Sequence, residues 1–162
     1  MSELHVGEKA PAFSLPDQTG VMRSVGDFGA KYIVLYFYPK DDTPGCTLEG
    51  REFTHYLPEF KKLNAHIVGI SGQDPASKQK FCAKHDLKVT LLSDEDFAVS
   101  KKFGSYGEKK FMGKTYLGVL RNTFIIDAAS NELVQVYLDV KADGHAEEVL
   151  AFLRDIKAGK SR

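Results

Sequence analysis

The chain reads as a mixed α/β fold, a central sheet flanked by helices, on three observations. Lys31–Tyr38 is β-branched and aromatic through its centre and is stopped by Pro39, the character of a buried strand. This run and two later ones, His66–Ser71 and Val89–Ser93, are separated by stretches whose apolar residues recur at helical spacing. Strands alternating with helices pair in parallel. Finally, Val119–Asp127 and Glu132–Leu138, joined by Ala128-Ala129-Ser130-Asn131, form an expected hairpin that adds antiparallel strands to the same sheet.

The elements follow in order. An N-terminal section with strand-like fragments precedes the Lys31–Tyr38 strand. From Pro44 to Leu63, the residues Leu48, Phe53, Leu57, Phe60 and Leu63 predict a helix, which Pro58 should kink or split. Asp74-Pro75 is an N-cap and first-turn pair for a helix running to about His85. A short helix is expected over Asp94–Phe103, and the Gly- and Lys-rich stretch Gly104–Thr115 reads as a loop. The chain closes with an amphipathic helix carrying Ala146, Val149, Leu150, Leu153 and Ile156 on one face. No internal repeat or domain-separating linker interrupts this order, so the expectation is a single domain over residues 1–162, frayed from about 157.

Composition removes several functions. Lysine plus arginine and aspartate plus glutamate stand at 22 each, so no excess charge points to nucleic acid or an anionic membrane. No run approaches the ~18 apolar residues of a membrane span, and the N-terminus lacks a basic start followed by an apolar stretch. A cytoplasmic protein is expected. Its two cysteines, Cys46 and Cys82, form no disulfide framework, and the plain reading of such a pair is two reduced core residues.

The surroundings of Cys46 argue otherwise. In Pro39-Lys40-Asp41-Asp42-Thr43-Pro44-Gly45-Cys46, Thr43 suits an N-cap and Pro44 the first helical position, which places Cys46 at the third. Unsatisfied N–H groups and the positive end of the helix dipole meet there and favour an anion. A capping box carries a carboxylate at this position; here a thiol stands instead, and it has a thiolate form. In open sheets of this kind the chemistry lies beyond the carboxyl ends of strands, and Cys46 follows the first strong one.

At these residues the chain resembles a peroxiredoxin. Pro39, Thr43 and Cys46 stand at the family's spacing. Phe37-Tyr38 and Thr47-Leu48-Glu49 around them are similar to the bacterioferritin comigratory protein, or peroxiredoxin Q, subfamily. Leu91-Leu92-Ser93-Asp94 and Leu117–Asp127 agree as well, with Arg121 in the place of the family's active-site arginine and Asn122 where a serine is commoner. The resemblance runs from Gly7 to the terminal helix and implies a thioredoxin-like fold.

It also implies a chemistry. Cys46 would attack a peroxide as the thiolate, Arg121 would hold both sulfur and a peroxide oxygen in its planar fork, and Thr43 would accept from a peroxide oxygen. The N–H groups of Gly45 and Cys46 would donate to that oxygen, and Pro39 would wall the pocket against water. Many subfamily members carry a resolving cysteine five residues after the first; Arg51 occupies that place here. Cys82, in the helix after the second core strand, matches the other variety, so an intramolecular disulfide with Cys46 is implied, reduced by a thioredoxin-like donor. Because both cysteines fall in expected helices, closing that bond requires local unwinding. No metal or other cofactor is implied, and a monomer is expected. Separately, each residue has a plainer reading: Thr43 a cap, Pro39 a strand stop, Arg121 a surface charge, Cys82 a buried helix residue or, with His85, two metal ligands. The rival for the whole chain is a non-catalytic thioredoxin-like redox switch or chaperone-like module, separable by peroxide consumption.

Overall fold

The fold is organised by strand β3, which alternates its side chains between two apolar layers. The computed structural model describes residues 3–159. After a small hairpin of β1 (Leu15–Pro16) and β2 (Met22–Arg23), β3 (Tyr32–Phe37) enters fully buried. Tyr32, Val34 and Tyr36 face one layer with Phe53, Phe60, Phe81 and Val149. Ile33, Leu35 and Phe37 face the other with Phe13, Val99, Phe103 and Phe124. This two-residue period explains why the run is apolar at every position.

Helices α1 (Pro44–His55) and α2 (Leu57–Lys62) lead to β4 (Ala65–Ser71), and α3 (Pro75–His85) leads to β5 (Thr90–Ser93). Then come α4 (Ala98–Lys102), β6 (Tyr106–Phe111), β7 (Lys114–Val119), β8 (Thr123–Asp127), β9 (Glu132–Tyr137) and α5 (His145–Lys157). The main sheet has the order β5-β4-β3-β8-β9, parallel from β5 to β3 and antiparallel across β8 and β9. It is the mixed sheet expected. Pro58 divides the long helix, as its missing N–H requires, with the break at Tyr56.

Three elements differ from the sequence reading. Gly104–Thr115 is not a loop: most of it forms the β6–β7 hairpin, a separate two-stranded ribbon. Met112 and Gly113, with φ of 52° and 77°, make the tight turn between them. The expected strand Val119–Asp127 is two strands, broken at Leu120–Asn122. Asn122 accounts for the break: its amide donates to the Ser105 hydroxyl at 3.0 Å and its side-chain oxygen accepts from the Asp139 N–H at 3.0 Å. The helix expected from Asp94 begins only at Ala98. The buried Asp94 carboxylate reaches ahead to accept from the Val99 and Ser100 N–H groups, so Asp94 caps the helix from outside it. Of the tail expected to fray from about 157, Lys157 is the last residue of α5 and 158–159 lie beyond it; positions 160–162 lie outside the described residues.

Candidate active site

Strand β3 and the β7–β8 break bring the site together. Beyond β3, Pro39 is half-buried and Lys40–Thr43 form a loop into α1. The Phe37 N–H donates to the Asn122 carbonyl at 2.8 Å, which holds the break against the end of β3. Arg121 is fixed within that break. Its carbonyl accepts from the Val140 N–H at 2.7 Å, while the Asn122 side chain is tied on both sides. The guanidinium therefore arrives at α1 from a constrained backbone.

At α1 the Arg121 fork spans two side chains. Nη2 donates to Cys46 Sγ at 3.5 Å, and Nη1 donates to Glu49 Oε1 at 2.6 Å. Cys46 is the third residue of α1, as expected, and is buried. Gly45 leaves room for the close approach of the fork: a Cβ there would lie 3.1 Å from Arg121 Nη2. Thr43 occupies the N-cap position with extended backbone angles, but its side chain does not cap. Its hydroxyl instead donates to the Lys40 carbonyl at 2.9 Å. This corrects the expectation of a hydroxyl cap and has two consequences. The oxygen of Thr43 keeps its lone pairs as acceptors, and the N–H groups of Gly45 and Cys46 are left without a cap or an intrahelical acceptor.

Glu49 is the residue that sequence reasoning missed. It has no side-chain exposure, and burial pushes its carboxyl up to about 7 against the opposing pull of Arg121. Its second oxygen, Oε2, has no hydrogen-bond partner among the described residues. The signal was there in principle. Cys46, Glu49, Gly50 and Phe53 are the buried residues of α1, and their spacing places Glu49 on the apolar face of the helix.

Cys82 lies elsewhere. It is part-buried on α3, and its sulfur takes a 3.8 Å contact from Gln18 Nε2, an amide that also binds the Val89 carbonyl at 3.1 Å and accepts from the Leu91 N–H at 3.0 Å. Burial, then the Asp41 carboxylate, push its thiol up to about 11. Both cysteines are free. The group anchoring Cys82 is fixed to β5 and that anchoring Cys46 precedes β8, three places apart in the sheet. At ~4.8 Å per place this is about 14 Å between the anchoring strands. His85, read as a second metal ligand beside Cys82, points to Asp42 at 2.6 Å. Arg51, at the alternative resolving position, is exposed and lines a shallow cleft of about 310 Å³ with Thr43, Thr47 and Leu48.

Comparison with known proteins supplies the family. Residues 6–132 match the AhpC/TSA family. The chain is 46% identical over 153 residues to the bcp peroxiredoxin of Helicobacter pylori strain J99, covering 94% of this chain and all of that protein. To Peroxiredoxin Bcp of Escherichia coli K12 it is 43% identical over 155 residues, 96% of this chain and 99% of the other. Among solved structures, a mutant of Xylella fastidiosa PrxQ superposes with a TM-score of 0.89 at 34% identity, covering 97% of this chain and 99% of that one. The Xanthomonas campestris bacterioferritin comigratory protein, studied for alkyl peroxide reduction, gives 0.82 at 38% identity over 89% and 91% of the two chains. With the thioredoxin-like sheet and the Cys46–Arg121 pairing already in view, these matches settle the family. The chain belongs to the AhpC/TSA family as a peroxiredoxin of the Bcp type, a thiol-dependent peroxidase.

Proposed function

We propose that Cys46 is the peroxidatic nucleophile and that Cys82 resolves it. The observation that carries this reading is the Arg121 fork, which touches Cys46 Sγ and Glu49 together at the first turn of α1. A thiolate there attacks one peroxide oxygen, the O–O bond breaks, and the alkoxide or hydroxide takes a proton to leave as alcohol or water. Cys46 becomes a sulfenic acid. Arg121, held by its ion pair with Glu49, faces the charge that moves along the O–O axis. The uncapped N–H groups of Gly45 and Cys46 are donors for a peroxide oxygen, and the Thr43 oxygen is an acceptor for a hydroperoxide proton. Pro39 offers no N–H and closes one side of the approach.

Resolution condenses the Cys46 sulfenic acid with the Cys82 thiol, forming a disulfide and releasing water. The 3.8 Å contact with Gln18 and the high thiol pKa describe a Cys82 resting protonated in its helix, so α3 must open before that sulfur attacks. A strained disulfide of this kind is readily reduced, which suits a thioredoxin-like dithiol donor. Hydrogen peroxide and organic hydroperoxides are the substrates we assign, in keeping with the alkyl peroxide reduction described for the Xanthomonas protein. We assign the chain to the cytoplasm as a monomer without a cofactor. No helix among the described residues is long and apolar enough to cross a membrane. The single five-stranded sheet, which engages elements from Lys9 to Tyr137, supports one domain.

Peroxide consumption with a thioredoxin system tests the assignment. Cys46→Ser should consume none. Cys82→Ser should consume about one equivalent, stall, and collect sulfinic acid under excess peroxide. Full turnover in Cys82→Ser would replace the two-cysteine cycle with a one-cysteine cycle. No consumption by the wild type would favour the redox-switch alternative.

A further inference from the structure

The loop that leads into Cys46 is fastened to both ends of the helix that carries Cys82, and no step above uses those fastenings. Asp41 is the inner one. Its buried carboxylate accepts from the Tyr38 hydroxyl at 2.6 Å, the Ser77 hydroxyl at 2.7 Å and the Ser71 hydroxyl at 3.3 Å. It also pairs with Lys78 Nζ at 3.2 Å. The Lys78 side chain has no exposure at all; its ammonium also donates to Ser71 and Tyr38, and sits 5.2 Å from the Tyr38 ring centroid. The Asp41 N–H donates to Gln73 Oε1 at 3.0 Å. Next to it, Asp42 is held in a left-handed conformation, φ 61°, and binds Lys84 at 2.8 Å and His85 at 2.6 Å on the last turn of α3.

A buried lysine is costly unless every proton of its ammonium is satisfied, and the pair becomes strongly destabilising if one partner is withdrawn. Here Tyr38, Ser71 and Asp41 supply the acceptors. Lys78 stands four residues before Cys82, one turn along the same face of α3. Unwinding α3 far enough to free Cys82 either strips Lys78 of Asp41 or pulls the Cys46 loop along with it. The two redox segments are thus joined by a contact that exists only while both are folded.

We propose that the Asp41–Lys78 pair is a positioning latch that holds Cys46 and Cys82 apart and sets how the Cys46 sulfenic acid divides between two fates. In one, the Cys82 thiol displaces water and the disulfide forms. In the other, a second peroxide transfers an oxygen to the sulfenic acid, giving sulfinic acid and an alcohol, or water where the peroxide is hydrogen peroxide. The tighter the latch, the larger the second share. This inference rests on Cys82 being the resolving thiol.

The test compares Lys78→Met with wild type under a fixed excess of hydrogen peroxide and a thioredoxin system, reading the Cys46 sulfinic acid formed per turnover by intact mass. Sulfinic acid should fall roughly tenfold, as expected for losing a buried pair that stabilises only the folded form. Consumption of the first peroxide equivalent should stay within about twofold of wild type. Asp41→Asn should lower sulfinic acid similarly, and the double variant should lower it by less than the two single effects combined, because both changes break the same contact and the double leaves neither charge buried alone. If Lys78→Met does not fold, Asp41→Asn and Ser77→Ala carry the test, the latter with a smaller fall. Val149→Ala, a cavity in α5 that removes none of the latch's hydrogen bonds, separates a local role from general weakening and should leave the sulfinic share unchanged. A sulfinic share unaltered in the latch variants, or lowered equally by Val149→Ala, overturns the latch. A wild type that forms no Cys46–Cys82 disulfide instead overturns the resolving assignment beneath it.

Discussion

Replacing Glu49 with glutamine should make the protein's stability less dependent on pH, and the size of the effect follows from the burial of this carboxyl. In the fold it titrates near 7, against an ordinary value of 4.5, with burial as the dominant cause and Arg121 opposing it. Between these two values the folded chain keeps a proton that the unfolded chain has released. The stabilisation is therefore complete below 4.5 and is lost as the pH rises through 7. At about 1.4 kcal/mol for each tenfold change, the loss amounts to about 3 kcal/mol by pH 8. Glutamine has the same shape and no charge to desolvate. Urea unfolding of both reduced proteins at pH 4.5, 6 and 8 should show the stability of Glu49→Gln rising relative to wild type by about 3 kcal/mol across that range. A difference that stays flat within about 0.5 kcal/mol would refute the assignment of a desolvated, titrating Glu49. At pH 8, where Glu49 is ionised, the same variant should slow the peroxide step about tenfold, because Arg121 loses a charged acceptor at 2.6 Å. Stability would then be gained where activity is lost.

Two further substitutions probe the fork itself. Arg121→Lys keeps a positive charge but loses the planar arrangement that spans Cys46 and Glu49, so single-turnover peroxide reduction should slow by about tenfold or more; a rate within about twofold would assign the step to charge alone. Gly45→Ala places a methyl group 3.1 Å from Arg121 Nη2 and should slow the same step with little loss of thermal stability; an unchanged rate would mean that the fork moves aside at no cost to the chemistry.

The sheet was legible because its central strands are buried on both sides and so are apolar at every position, as Ile33–Phe37 shows. The β6–β7 ribbon was not, because it packs little apolar surface and exposes Phe111, Met112 and Leu117; with Lys109, Lys110 and Gly113 it has the composition of a loop. The break that positions Arg121 was hidden for the opposite reason. Val119-Leu120 runs into Thr123–Ile126 with strand-like composition, and only the distant partners of Asn122, Ser105 and Asp139, interrupt it. At the site, Cys46, Gly45 and Thr43 could be placed from local helix rules and the family spacing. Glu49 could not be assigned a role, since a glutamate in a helix reads as a solvated charge until the fold brings Arg121 to it across 72 residues of chain.

The central claim, that Cys46 is oxidised and Cys82 closes on it within one molecule, is tested most directly by peptide mapping after a single equivalent of hydrogen peroxide. Non-reducing proteolysis followed by mass measurement should recover the Cys46 and Cys82 peptides joined by a disulfide, in protein that remains monomeric on a non-reducing gel. Recovery of Cys46 as sulfenic or sulfinic acid with Cys82 still a free thiol, or of disulfide-linked dimers alone, would contradict it.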